Sequence, residues 1–375
     1  MIKNITHSIF YPGRNYFHPA ISQCGNGLMM TMQTIGASDT YGPVVYALSS
    51  DNGKTWGNPR PVKSLDTKEF EDGIKEGIAD VRPLFHKPTG TVIASGCNTH
   101  YGKYGCAAWD PELKGKAFRQ FPVYAVYDRD GKWSERKILS HEFFSECGNW
   151  RTACAQAIVL EDENILFPIY FHKNHEQDNY SVCTLKCSFD GTDLIAEKVS
   201  NTLSFPEKRG FLEPSLIYSE GKYYMTIRAE DDHAYLSISA DGLNWESPSA
   251  WRWDDGTYLK TSTTQQHWIS SGKELYLAYT REDECNKDVM RWRAPLFAAR
   301  VIPEKKCLLR NTERILFPLK RHGEAPNLLG NFHAVDISPG RSIVSDGSLW
   351  LEGKDNNAKS RYYSEVWVSE IEYQA

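Results

Sequence analysis

The chain has 375 residues, with 43 Lys and Arg against 48 Asp and Glu, a formal net charge of -5 and a pI near 6.1. Phosphate binding needs a concentrated basic surface and none is present, so no nucleic-acid partner is expected. No apolar run approaches the roughly 20 residues that cross a bilayer, and 1–10 does not read as a secretory signal. The expectation is a cytoplasmic protein with no membrane partner, or a secreted or periplasmic one whose signal has been removed.

Helical periodicity is scarce. Short apolar runs rich in β-branched and aromatic residues recur between Gly, Asp, Asn and Pro, which predicts strands. They group into six units. The first holds 17–20, 27–33 and 43–50, and the second 80–86, 91–96 and 122–127. The third holds 153–160, 165–171 and 180–188, and the fourth 212–218, 223–228 and 234–239. The fifth holds 263–270, 275–280 and 295–301. The sixth holds 332–338, 342–345 and 363–371, with only three strands of its own. A strand near 6–11 is expected to supply the fourth and to close a ring of blades, which removes the open sheet edge.

A turn repeats between the units' outer strands. Ser49-Ser50-Asp51-Asn52-Gly53-Lys54-Thr55-Trp56 matches S-x-D-x-G-x-T-W in full. Looser copies follow at Asp128 to Trp133, Ser188 to Gly191 and Ser239 to Trp245. Asp accepts backbone N–H groups in a tight turn, Gly takes positive φ, and Trp packs back on the blade. The fold expected is an all-β, single six-bladed β-propeller over 1–375, with seven blades as the alternative count. Surplus length sits in insertions at 63–77, 101–120 and 282–293.

Propeller sites form where innermost strands converge. The polar residues that begin those strands are His18, Asp80 with Arg82, Arg151 with Gln156, Glu213, Gln265-Gln266-His267 and His333. Each one alone reads as well as a channel-lining hydrogen bond, but polar groups repeated in six units need partners or a ligand. The nine Cys form no CxxC pair and read as reduced thiols. No zinc signature is present, so no metal ligand and no cofactor is expected; a structural divalent cation in the central channel has no ligand run to support it.

These motifs resemble the sialidase superfamily over nearly the whole chain. Gly36-Ala37-Ser38-Asp39 ahead of the first Asp-box resembles the sialidase acid/base segment. Glu213-Pro214-Ser215 with Arg228 fifteen residues on resembles the sialidase Glu and second carboxylate-binding Arg, and Arg291 or Arg293 stands for the third. Two positions depart. Tyr16-Phe17-His18-Pro19 places His18 where the first Arg belongs, and Gly330-Asn331-Phe332-His333 replaces the tyrosine nucleophile. A closer resemblance is to the sialidase-like propellers of glycoside hydrolase family 145 and the related rhamnose–glucuronate lyases. It rests on Tyr16 to Pro19, Thr264-Gln265-Gln266-His267-Trp268, Arg293-Ala294-Pro295-Leu296-Phe297 and Gly330 to Phe332.

That resemblance implies an exo-acting enzyme that removes a terminal sugar, L-rhamnose, from an acidic uronate-containing glycan, by hydrolysis or β-elimination. The catalytic candidates are His18, His333, Asp39 and Glu213. The substrate-binding candidates are Arg228, Arg151, His100, Gln266, His267 and Arg291. Imidazoles suit proton transfer near neutrality and guanidiniums suit a uronate carboxylate. Asp39 reads equally as a turn residue, and Glu213 as an ion-pair partner of Arg228. An exo-α-sialidase and a non-catalytic glycan-binding propeller are the competing expectations.

Overall fold

A computed structural model of the chain describes residues 1–108, 110–113, 116, 118–174, 179–352 and 361–374. Six sheets follow one another along the chain, each built outward from an inner strand and antiparallel throughout except for one parallel pairing, Arg252–Trp253 on Cys307–Phe317, at the edge of blade 5. The inner strands are Tyr16–Cys24 in blade 1, Lys75–His86 in blade 2 and Leu212–Ser219 in blade 4. Those of blades 5 and 6 are His267–Ser271 and His333–Ser338. In blade 3 the expected strand over 153–160 is split into Trp150–Arg151 and Ile158–Val159, both paired to Ile165–His172. The inner strands of neighbouring blades pack against one another, which defines the axis. No helix among the described residues is long and apolar enough to cross a membrane.

The ring closes as expected. Ile2–Phe10 pairs antiparallel with Arg361–Tyr373 and becomes the outermost strand of blade 6. Blade 6 is longer than expected, because its second strand runs Arg341–Glu352. Gly347 in that strand lies against blade 1, where an added Cβ would stand 2.8 Å from the Phe17 Cα. The blade 5 inner strand starts only at His267, so 263–266 approach the axis as irregular backbone.

Each pair of adjacent blades encloses its own apolar core. Met29 faces Val81 and Val92 of blade 2, whereas the next residue, Met30, faces Ile343 and Val366 of blade 6. Leu166 joins blade 4 residues such as Met225, while Phe167 joins blade 2 residues such as Ile93. Successive side chains of a strand point to opposite faces, and here both faces are buried. That is why the strands read as short continuous apolar runs and not as apolar–polar alternation.

The Asp-box turns sit between third and fourth strands. Asp51 Oδ1 accepts from the Thr55 N–H at 2.9 Å and from Ser49 Oγ at 2.8 Å, and Gly53 takes φ 88°. Asp128, Asp190 and Asp241 accept backbone N–H groups in the same way. These carboxylates lie on the rim and hold the turns. None belongs to the axial cluster.

Candidate functional site

Four inner strands carry the same local distortion. His18, Asp80, Cys154 and Glu213 have φ of 50°, 56°, 60° and 42°. In blades 1, 2 and 4 the residue sits at a register shift, between Phe17 and Ala20, Ala79 and Arg82, and Leu212 and Ser215. Cys154 occupies the gap between the two halves of the blade 3 inner strand. Left-handed backbone at a non-glycine residue costs about 1–3 kcal/mol and persists where the surrounding structure enforces it, often at functional sites. A bulge of this kind re-aims a side chain out of the strand's alternation. Here it brings a His, an Asp and a Cys from blades 1, 2 and 3 to one point near the axis.

His18 is 2% exposed, and its Nε2 lies 3.1 Å from Asp80 Oδ1 and 3.3 Å from the Tyr41 hydroxyl. Burial drives the imidazole down to about 3, so it is neutral across the physiological range, although Asp39 and Glu213 oppose the shift. Burial, helped by Glu213 and Asp39, raises Asp80 to about 7. A carboxyl that titrates near neutrality against a neutral imidazole suits proton transfer. The Tyr41 hydroxyl also donates to Asp39 Oδ1 at 3.4 Å, which links three proton-carrying groups. Asp39 itself sits at φ 52° in the turn between Gly27–Ala37 and Thr40–Tyr41. It is therefore both a turn residue and a member of this group.

Glu213 forms the ion pair with Arg228 that its spacing allows, with Arg228 Nη1 2.7 Å from both carboxylate oxygens. Burial would raise this carboxyl, but the Arg228 charge overrides it and holds it below the ordinary range. Around the pair stand further guanidiniums. Arg209 pairs with Glu230, and Arg291 and Arg293 lie within range of the Arg228 charge. Arg291 and Arg293 form no ion pair among the described residues, and Arg293 Nε is buried without a partner. Burial and the neighbouring cations lower Arg293 to about 10. Arg291 and Trp292 are left-handed, at φ 54° and 50°.

The remaining candidates separate into two groups. Arg151 and His100 line one cavity with Asp39, Tyr41 and Asp80, of about 780 Å³, over blades 1 to 4. Arg151 lies over the Tyr170 and Tyr180 rings, and His100 stacks on Phe118 with Nε2 3.7 Å from Glu76. Gln266 and His267 are wholly buried supports. Gln266 bonds to the Thr264 carbonyl and accepts from Thr226 Oγ1. His267 lies 2.8 Å from Ser215 Oγ and 2.9 Å from Arg82 Nη2, so both ring nitrogens are engaged. Both residues hold neighbouring groups in place through these contacts. His333 is 3% exposed, its ring 6.3 Å from that of His18, and neither ring nitrogen has a hydrogen-bond partner among the described residues. It reaches the axis from the opposite face, at a cavity of about 420 Å³ that it shares with Gln156 and Asp336. Cys154 and Tyr41 are absent from the sequence-derived set. The signal for Cys154 was available, since Ala153-Cys154-Ala155 occupies the same place in its unit as Phe17-His18-Pro19, Ala79-Asp80-Val81 and Leu212-Glu213-Pro214.

The fold is that of the sialidase-like β-propellers. No family model matches the chain, and no curated protein matches it. Among solved structures, it is similar to a protein of unknown function from Dyadobacter fermentans, with a TM-score of 0.67 and 15% identity over 99% of both chains. It is also similar to the intramolecular trans-sialidase from Ruminococcus gnavus, with a TM-score of 0.57 and 11% identity over 97% of this chain and 98% of that one. The Trypanosoma rangeli sialidase gives a TM-score of 0.61 at 13% identity over 94% of this chain, which spans 54% of that protein.

Proposed function

We propose that the protein is an exo-acting carbohydrate-active enzyme that cleaves a terminal sugar, L-rhamnose, from a uronate-containing glycan. The observation that carries this reading is the cluster of Arg209, Arg228, Arg291 and Arg293 at the axis, two of them without an ion-pair partner among the described residues, beside the His18–Asp80–Tyr41 group. Guanidiniums bind carboxylates in a planar, directional way, and Arg291, exposed, and Arg293, half-buried, are free to take one. In this reading Arg291 and Arg293 take the uronate carboxylate, with Arg151 and His100 along the cavity that receives the rest of the glycan. Glu213 fixes Arg228. His18, Asp80, Tyr41 and Asp39 supply the proton transfers, and His333 lines the axis behind them.

Two chemistries fit these residues. In β-elimination the arginines neutralise the carboxylate, which makes the neighbouring C–H acidic. The neutral imidazole takes that proton, the C–O bond to the rhamnose one carbon further on breaks to leave a C=C bond in the uronate, and the Tyr41 hydroxyl, kept protonated by burial, gives a proton to the departing oxygen. In hydrolysis two carboxyl groups act on the glycosidic bond, with Asp39 and Glu213 as the candidates. The test is incubation with a rhamnosyl-glucuronate oligosaccharide and, in parallel, with a sialyl oligosaccharide. An unsaturated uronate absorbing in the ultraviolet marks elimination, and free rhamnose without that absorbance marks hydrolysis. His18→Ala is expected to abolish either. Release of sialic acid alone supports the sialidase reading, for which the Glu213–Arg228 pair speaks. Glycan binding without turnover leaves a non-catalytic propeller.

A further inference from the structure

His18, Asp80 and Cys154 come from three different blades, and each offers one ligand atom to a cluster in which all such atoms lie within 4.8 Å of one another. The Nε2 to Oδ1 distance of 3.1 Å is close to the edge of a tetrahedron built on metal–ligand bonds of about 2.0–2.2 Å. The side chain of His18 is 2% exposed and Cys154 is 4% exposed. Asp80 Oδ1 faces His18 Nε2, and His18 Nδ1, the other ring nitrogen, is a buried atom without a hydrogen-bond partner among the described residues. A buried polar atom with no partner costs about 1–3 kcal/mol. The cluster therefore turns three ligand-type atoms toward one another at the cost of backbone strain in three strands, beside one buried nitrogen left unpaired.

We propose that this three-blade cluster is a binding site for a divalent transition metal of borderline softness, zinc by preference. One imidazole nitrogen, one carboxylate oxygen and one thiolate sulfur form a ligand set of the kind used by zinc sites that keep a fourth position open. The cavity lined by Asp39, Tyr41 and Asp80 leaves that fourth position to water or to a substrate oxygen. The charges facing the site are mixed. Asp80, Glu213 and Asp39 favour a cation, whereas Arg82 and Arg293 oppose it. Glu213 is already committed to Arg228, and Arg82 lies against His267 and the Phe332 carbonyl, so neither competes for the metal's coordination sphere. A hard, oxygen-seeking ion such as calcium finds only one carboxylate in the cluster and no ring of oxygens.

With a metal bound, His18 is a ligand, and proton transfer passes to Tyr41 and Asp39. A bound metal, held by His18, Asp80 and Cys154, would supply Lewis-acid polarisation of an oxygen at the open position. Loss of turnover in His18→Ala is expected in either case. The site is the one described above, but the inference does not rest on the carbohydrate reading, because metal binding is measured without substrate.

The experiment uses the full chain, stripped with a chelator and titrated with zinc chloride alone by calorimetry, and with cobalt(II) chloride by absorption spectroscopy. The expected result is one equivalent of zinc, and a cobalt complex with tetrahedral visible bands and a near-ultraviolet thiolate-to-cobalt charge-transfer band. Cys154→Ser is expected to remove the charge-transfer band and weaken zinc by at least about 100-fold, with Asp80→Asn weakening it by about 10–100-fold. Circular dichroism and melting temperature identify a variant that fails to fold, and Cys285→Ser, which alters an exposed thiol, serves as the control that leaves binding unchanged. Absence of stoichiometric zinc binding in the stripped wild type overturns the proposal. So does a cobalt complex without a thiolate band, or one that persists unchanged in folded Cys154→Ser.

Discussion

Replacing Arg228 by Met keeps the aliphatic stem and removes the charge that holds Glu213. Arg228 is 8% exposed and Glu213 16%, and the two are joined at 2.7 Å through both carboxylate oxygens. Removing one member of a buried pair costs about 3–5 kcal/mol, because the other charge is left buried and uncompensated. Unfolding entropy of about 2.1 cal/mol/K per residue gives about 0.8 kcal/mol/K for a chain of this length, so the expected drop in melting temperature is about 4–6 °C at pH 7. The pH dependence has a definite sign. Glu213 is held below its ordinary value of 4.5 in the folded protein, so the pair's stabilisation is complete above 4.5 and is lost as pH falls through the lower folded value. The gap between wild type and Arg228→Met in a thermal melt is therefore widest at neutral pH and closes below about pH 4.5. Glu213→Leu combined with Arg228→Met removes both charges and is expected to recover more than half of the loss, giving a strongly non-additive cycle. A shift under about 1 °C at pH 7, or additivity of the two single changes, would falsify the view that these residues form one buried unit.

Two further outcomes follow from the same geometry. Arg291→Ala removes a guanidinium with no ion pair among the described residues, so it should leave the melting temperature almost unchanged; in steady-state kinetics on an acidic glycan it should raise KM by about 10–100-fold, the worth of one charge-assisted contact. Deleting residues 1–10 strips the strand paired to Arg361–Tyr373 and leaves a long unpaired edge, so size-exclusion chromatography should show oligomers or aggregates where the full chain elutes as one sharp species.

The propeller was legible in the sequence because its marks are local. An Asp-box needs only an acceptor, a Gly and an aromatic at fixed offsets, and Asp51 to Trp56 supplies all three within eight residues of Ser49. Burial of both strand faces also leaves a local trace, as at Met29 and Met30, which serve two different cores. Ring closure was legible too, since three strands in the last unit and a spare one at the N-terminus have one economical pairing. The site was legible only in part. His18, Asp39, Glu213 and Arg228 could be picked out by type and by position in the unit, but their partners could not. The contact between His18, Asp80 and Cys154 joins residues 62 and 74 positions apart, and it exists because each of three strands breaks its alternation at the same level. Gln266 and His267 were placed by the sequence at an inner-strand entry; only the tertiary structure shows them fully buried, with His267 bonded to Arg82 and Ser215. Strand periodicity is a short-range property that sequence records directly. Which side chains meet at the centre depends on bulges and on the convergence of six blades, and only the closed ring decides that.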